Sequence, residues 1–239
     1  MKRLRIASLL SAALGLGLVA TQAMAQAYPN KPIKAVVPFA AGSATDQIGR
    51  AFAQKMSEVL GQPVVVENKA GVSGMLGADA VAKSAPDGYT ILIGTNSTNA
   101  ALKSLMKKLP YDQDTAFAPV AYMGSVPLIV AVNNDVPAKN LKELVDLAKS
   151  KPTQITFASA STSQLVSTEV LSSMTGIKMT NVPYKSGPAA MTDLIGGQVN
   201  LFSADFAVML PQVKAGKIRG LAVTSTQRSK AIPELPTVN

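Results

Sequence analysis

Two short stretches carry the residues best suited to chemistry. The first is Pro38 to Asp46, PFAAGSATD, where a strand ends at Phe39 and four small residues, Ala40 to Ser43, lead into a helix. Small side chains let backbone N–H groups approach a ligand, and Ser43 or Thr45 can cap the helix. Amides at a helix start, backed by the helix dipole, suit a carboxylate or another anion. The second stretch is Ala158 to Ser163, ASASTS, which again joins a strand to a helix and offers three Ser and one Thr. Those hydroxyls and amides can hold ligand oxygens. Each stretch also matches an ordinary capped turn, and the first alone is better explained that way. Together they place one hydroxyl-rich helix start in each half of the chain, as facing walls of a cleft would.

The rest of the catalytic repertoire is thin. The chain has no His and no Cys. Ser-His-Asp triads, HExxH metal sites, thiol nucleophiles, zinc thiolate sites and disulfides are therefore excluded. Gly71 to Gly77, GVSGMLG, is not the GxGxxG of a dinucleotide site and reads as a tight loop opening a helix. Ser104 to Lys107 fits SxxK, but no KTG or SDN accompanies it. No Walker A pattern is present. Asp205 follows a strand and reads most simply as a helix N-cap, with a polar cleft residue as the sharper alternative. No metal and no cofactor are expected. An exported enzyme using a Ser-Lys pair or carboxylates is the rival to a binding protein.

At 239 residues, 47% hydrophobic and 15% charged, the chain is globular and long enough for one large or two modest domains. Its first 27 residues have a basic start (Lys2, Arg3, Arg5), an apolar stretch from Ile6 to Ala20, and then Ala23-Met24-Ala25. A membrane anchor competes, but the short, small-residue core and the A-x-A site favour a cleaved export signal over 1–25. The mature chain then starts near Gln26, with no lipid-accepting Cys. Three of the 23 basic residues lie in the signal, which leaves 20 basic against 14 acidic residues. That modest positive balance suits anionic ligands. Nucleic acid is a poor fit, because the basic residues are dispersed and aromatics are only 5%.

The elements that must position the two loops alternate. Strands are expected at 33–39, 64–66, 90–94, 128–132, 155–158, 179–184, 199–202 and 218–224. Helices are expected on the faces Ile48/Ala51/Phe52/Met56/Val59/Leu60, 75–83, 99–106, Leu141/Leu144/Val145/Ala148, Val166/Val170/Met174, 188–195 and Phe206/Met209/Leu210/Val213. Residues 107–127 carry three prolines and no period, and read as a crossover. Strand–helix alternation implies parallel βαβ units in two α/β domains.

Several strings then resemble one family: YPNKPIKAVVPFAAGSATD, VVVENKAGVSGMLGADAVAKSAPDGYTILIG, LPYD, VPYKSGPAAMTDLIGGQVNLF and GKIRGLAVTSTQRSKAIPELPTV. Over Tyr28 to Asn239 the chain is similar to the Bug-type receptors, periplasmic solute-binding proteins of tripartite tricarboxylate transporters. The resemblance implies an α/β, two-domain, class II periplasmic-binding (Venus flytrap) fold. Domain one would span 26–123 and domain two 124–226, with 227–239 starting a crossover back to a part of domain one that is not in the sequence. It implies a soluble periplasmic monomer that binds a small carboxylate and delivers it to membrane permease subunits. A sensor feeding a signalling partner is the variant reading. The implied ligand contacts are Phe39, Ala40, Ala41, Gly42, Ser43 and Asp46 in the first loop, and Thr95 and Thr98 in the same domain. Across the cleft they are Ser159, Ser161, Thr162 and Ser163, with Ser203 and Asp205 at a strand end. The chain departs from the family at Gly42-Ser43, where two glycines are frequent, and in lacking a His after the Ser159 loop.

Overall fold

The computed structural model describes residues 28–238. The expected export signal lies outside the described residues. Two sheets organise the fold. The first contains β1 (Ile33–Val37), β2 (Val64–Asn68) and β3 (Thr90–Leu92), in the order β2-β1-β3 and all parallel. Helix α1 (Ala44–Leu60) connects β1 to β2, and α2 (Met75–Ala82) leads from β2 towards β3. After β3 the chain makes a wide π turn at Ser97–Ala101, then the short α3 (Leu102–Leu105). The core of this unit is small: Ala35, Val37 and Ile93, flanked by Val64, Val66 and Ile91.

The second sheet has the order β6-β5-β7-β4-β8. Its strands are β4 (Leu128–Val132), β5 (Thr156–Ser159), β6 (Thr180–Pro183), β7 (Leu201–Asp205) and β8 (Arg219–Val223). Its helices are α4 (Leu141–Ser150), α5 (Thr162–Thr175), α6 (Gly187–Ile195) and α7 (Phe206–Lys214). Strand β4, LIVAV, is buried at all five positions. Ile129 and Ala131 join Phe202, Leu194 and Met209 on one face, while Val130 and Val132 join Phe157, Leu201 and Leu144 on the other. A continuous apolar run is what a strand covered on both faces requires. Residues 232–238 run against the far edge, where Val223 donates to the Pro236 carbonyl at 2.8 Å and Ile232 and Leu235 enter the core.

Three expectations are corrected. The second sheet is mixed, because β4 runs antiparallel to both β7 and β8. Right-handed βαβ geometry constrains strands joined by a crossover helix. β4 is instead entered from the irregular segment 106–127, which imposes no direction. The inward face of α1 is not its large apolar residues: Phe52 and Val59 are exposed, while Gly49 and Ala53 are buried. A Cβ on Gly49 would stand 3.0 Å from Val37, so the helix lies too close to the sheet for bulky side chains. Likewise, on α5 Val166, Val170 and Met174 are exposed, while Thr162, Gln164, Thr168 and Ser172 are buried. The hydroxyls of Thr168 and Ser172 donate to helix carbonyls four residues back, at 3.1 and 2.9 Å. These two buried hydroxyls are thus satisfied within their own helix, at small volume.

Candidate functional site

A cavity of about 350 Å³ opens between the two units. Its walls come from the carboxyl ends of β1, β3, β5, β6 and β7 and the helix starts that follow them, the usual ligand position in open α/β sheets. Phe39, Gly42 and Ser43, with the first residues of α1, form one side. Ser43 is the N-cap of α1 and accepts from the Asp46 amide at 3.2 Å. Gly42 sits at φ 79°, a conformation that glycine adopts without steric penalty. The amides of Ala44 and Thr45, in the first turn, lie ahead of the helix's own hydrogen-bond ladder.

The first loop is braced from behind. Asp46, 3% exposed, accepts from the Gly42 amide at 2.9 Å, from Arg50 Nε at 3.1 Å and from Asn68 Nδ2 at 2.8 Å. Asn68 Nδ2 also donates to the Phe39 carbonyl at 3.0 Å, and Arg50 donates to Asn68 Oδ1. Burial opposes ionisation of Asp46, but the hydrogen bonds from Arg50, Gly42 and Asn68 outweigh it and hold its pKa below the ordinary value. Asp46 therefore shapes the loop from outside the cavity lining. Ala40 and Ala41 also stand outside it and make the turn, with the Ser43 amide donating to the Ala40 carbonyl at 3.1 Å.

Thr95 lines the cavity beside Ser97. Thr98 does not; its hydroxyl accepts from the Thr95 amide at 2.9 Å and fixes that turn. Across the cavity, Ser161 and Ser163 line the wall with Ala160 and Gln164. Ser161 caps α5 through the Gln164 amide at 3.4 Å. Ser159 donates to Asn181 Oδ1 at 2.8 Å, and Ser203 pairs with Ser167 at 2.9 Å, both away from the cavity. Thr162 bridges the two units: its hydroxyl donates to Ser97 Oγ at 2.6 Å, and its amide lies 3.3 Å from the same oxygen.

Asp205 closes β7 and lines the cavity. It occupies the N-cap position of α7 but makes no side-chain cap hydrogen bond, so the cleft-residue alternative describes it. Burial pushes its carboxyl above the ordinary value, against hydrogen bonds from its own amide and from Gln164. Residues that the sequence reading did not single out also line the cavity, among them Gln47, Gln164, Met191, Val208 and Gln212. Helical spacing was the available signal: Gln47 follows the Ser43 cap by four residues and Gln164 follows Ser161 by three.

Fold and cavity together define a two-domain solute receptor. Residues 48–239 match the model of the tripartite tricarboxylate transporter family receptor. BugT of Bordetella pertussis is 38% identical over 223 residues, which is 92% of this chain and 68% of that protein. An R. palustris protein solved with adipate superposes with a TM-score of 0.86 at 34% identity, over 88% of this chain and 71% of that one. MatC from Rhodopseudomonas palustris, solved with bound malate, gives 0.83 at 31% identity, over 88% and 72%. The chain belongs to this family of Bug-type periplasmic solute-binding receptors. Among the described residues no helix is long and apolar enough to cross a membrane.

The interdomain hydroxyl pair yields a direct prediction. Thr162→Val keeps the side-chain shape and removes the donor to Ser97. The expected loss is about 1 kcal/mol, or roughly 2–4 °C in Tm. Ser97→Ala is expected to give a similar drop, and the double variant little more, because both remove one interaction. Fully additive losses would show that the two hydroxyls act separately.

Proposed function

We propose that this chain is a periplasmic receptor that captures a small carboxylate between its domains and hands it to the membrane subunits of a tripartite tricarboxylate transporter. It makes and breaks no bond. The observation that carries this reading is the convergence on one cavity of the N-termini of α1, α5, α6 and α7, with no cationic side chain among the described residues that line it. The positive ends of helices and first-turn amides are the charge available to an anion there. Phe39, Gly42, Ser43, Thr95, Ser161 and Ser163 are the proposed contacts in that lining; Asp46 and Thr98 hold those loops in shape.

Adipate in one R. palustris relative and malate in MatC support the ligand class. The family description supports delivery to a transporter. The basic start and A-x-A site support export and cleavage after residue 25, and irregular segment 106–127 supports a boundary near residue 123. The lining hydroxyls support binding over catalysis, because Ser43 and Ser161 already accept from helix amides and the sequence has no His to activate them.

A thermal-shift screen tests the reading. A ligand of the native state at 100-fold excess over Kd stabilises by about 2.7 kcal/mol, which raises Tm by roughly 5–10 °C for a chain of this size. Small carboxylates are expected to give such shifts. Shifts from neutral sugars with none from carboxylates would overturn the proposal.

A further inference from the structure

Ser97 lines the cavity, is 1% exposed and touches the second unit. It opens the π turn at Ser97–Ala101, a geometry that recurs at functional sites. The turn is held from behind. Gln113 Nε2 donates to the carbonyls of Ser97 and Thr98 at 3.3 and 2.8 Å, and the Tyr111 hydroxyl donates to the Thr98 carbonyl at 2.9 Å. The Ser97 oxygen accepts twice from Thr162, from its hydroxyl at 2.6 Å and from its amide at 3.3 Å. That amide belongs to the first turn of α5, ahead of the helix's own hydrogen-bond ladder. Ser97 therefore caps a helix of the other unit. A serine hydroxyl accepts two hydrogen bonds and donates one. Thr162 fills both accepting positions, so the O–H of Ser97 remains to donate to a group in the cavity. Thr162 is itself buried and is not among the lining residues.

We propose that Ser97 couples ligand capture to the joining of the two units, with Thr162 as the positioning residue behind it. This rests on the carboxylate-receptor reading above. A ligand carboxylate that accepts from Ser97 Oγ completes one chain, from ligand to Ser97 to Thr162, which crosses from the first unit to the second. Each hydrogen bond in such a chain polarises the next, so the bond to the ligand strengthens the bond between the units. The coupling is reciprocal: the factor by which the ligand favours the joined arrangement is the factor by which the Thr162 bond favours the ligand. Separating the units would strip the first turn of α5 of this cap, at the helix start that carries Ser161 and Ser163 into the cavity wall. A residue outside the cavity thus contributes to affinity through a single hydroxyl.

Isothermal titration of the full chain with succinate, malate and adipate tests this. Thr162→Val is expected to weaken the acid that binds best by about fivefold, the effect of one lost hydrogen bond. Thr162→Ser, which keeps the hydroxyl, is expected to stay within about twofold of the wild type. Ser97→Ala removes both the cap and the donor to the ligand, and about tenfold or more is expected to be lost. Adding Thr162→Val to Ser97→Ala is then expected to change affinity by less than about twofold, because the chain is already broken. Unchanged affinity in Thr162→Val, or a serine variant as weak as the valine one, would overturn the proposal. An equal loss from Thr162→Val in the Ser97→Ala background would also overturn it, since Thr162 would then act through the packing of α5. Should the valine variant fold poorly, unchanged affinity in Ser97→Ala would overturn it alone. All of these outcomes leave carboxylate capture standing. Failure of all three acids to bind the wild-type protein would overturn carboxylate capture and the coupling together.

Discussion

Replacing Asp46 by alanine is expected to loosen the ligand loop and destabilise the first domain by about 3 kcal/mol, a fall in Tm of roughly 6–12 °C. The carboxylate is buried and gathers three donors at one point: the Gly42 amide, Arg50 and Asn68. Hydrogen bonds to a charged group are each worth about 1.5–3 kcal/mol, but Arg50 is half exposed and its share is screened by solvent. The Gly42 and Asn68 bonds therefore dominate the loss. Without them the Phe39–Ser43 turn has no fixed register over the start of α1, and carboxylate affinity is expected to fall by about 10–100-fold, because small displacements of positioned groups are costly. Calorimetry and ligand titration on the same variant check both effects; a folded variant with unchanged affinity would sink the account of the loop.

The same residue sets an acid limit. Asp46 has a lowered pKa when folded, so the stability it contributes is fully present above its ordinary value of 3.8. That stability is lost as the pH falls below 3.8 through the folded value. Asp46→Asn removes this component, so its stability should fall less steeply than that of the wild-type protein on the acid side. Parallel acid limbs would show that Asp46 titrates no differently in the folded and unfolded chains.

Gly77→Ala is expected to destabilise the protein by about 2–3 kcal/mol, although alanine is the better helix former. Helix propensity alone favours the substitution by about 1 kcal/mol. Packing opposes it. An added Cβ would stand 2.8 Å from the Lys69 carbonyl oxygen, 2.8 Å from Pro38 Cα and 2.9 Å from Pro38 Cβ. Two of those atoms are backbone and the third is in a proline ring, so none can swing aside. α2 must move off the end of β1, and Pro38 leads directly into the ligand loop. A lowered Tm with weakened carboxylate binding is expected; a neutral or stabilised variant would mean that propensity outweighs the close approach.

These contacts mark where reading along the chain succeeds. The Ser43 and Ser161 caps were visible as hydroxyls at strand–helix junctions. Gly61 and Gly176, both left-handed, end α1 and α5 where the helical periods stop. Each of these is settled by hydrogen bonds spanning a few residues, so residue type and spacing are sufficient. The bracing of the first loop was less visible. Asp46 could be placed in it, but its partner Asn68 is 22 residues away on β2 and reaches it only because β1 and β2 pair in register.

The sequence alone determined the alternation of strands and helices, the positions of both small-residue loops, and an anion-friendly helix start in each half, because local propensity and capping act over single turns. It also excluded imidazole and thiol chemistry outright, since composition has no tertiary component. Tertiary structure alone decided the direction of β4, the inward faces of α1 and α5, and the pairing of Ser97 with Thr162. It also decided that Asp205 lines the cavity, the single ionisable group among the described residues there. All four depend on how closely elements distant in sequence approach one another. At α1 and α5 that approach is close enough that glycine, alanine and small hydroxyl residues, not the large apolar ones, point inward. Hydrophobic periodicity registers the size and polarity of a side chain, but not the gap it must fill.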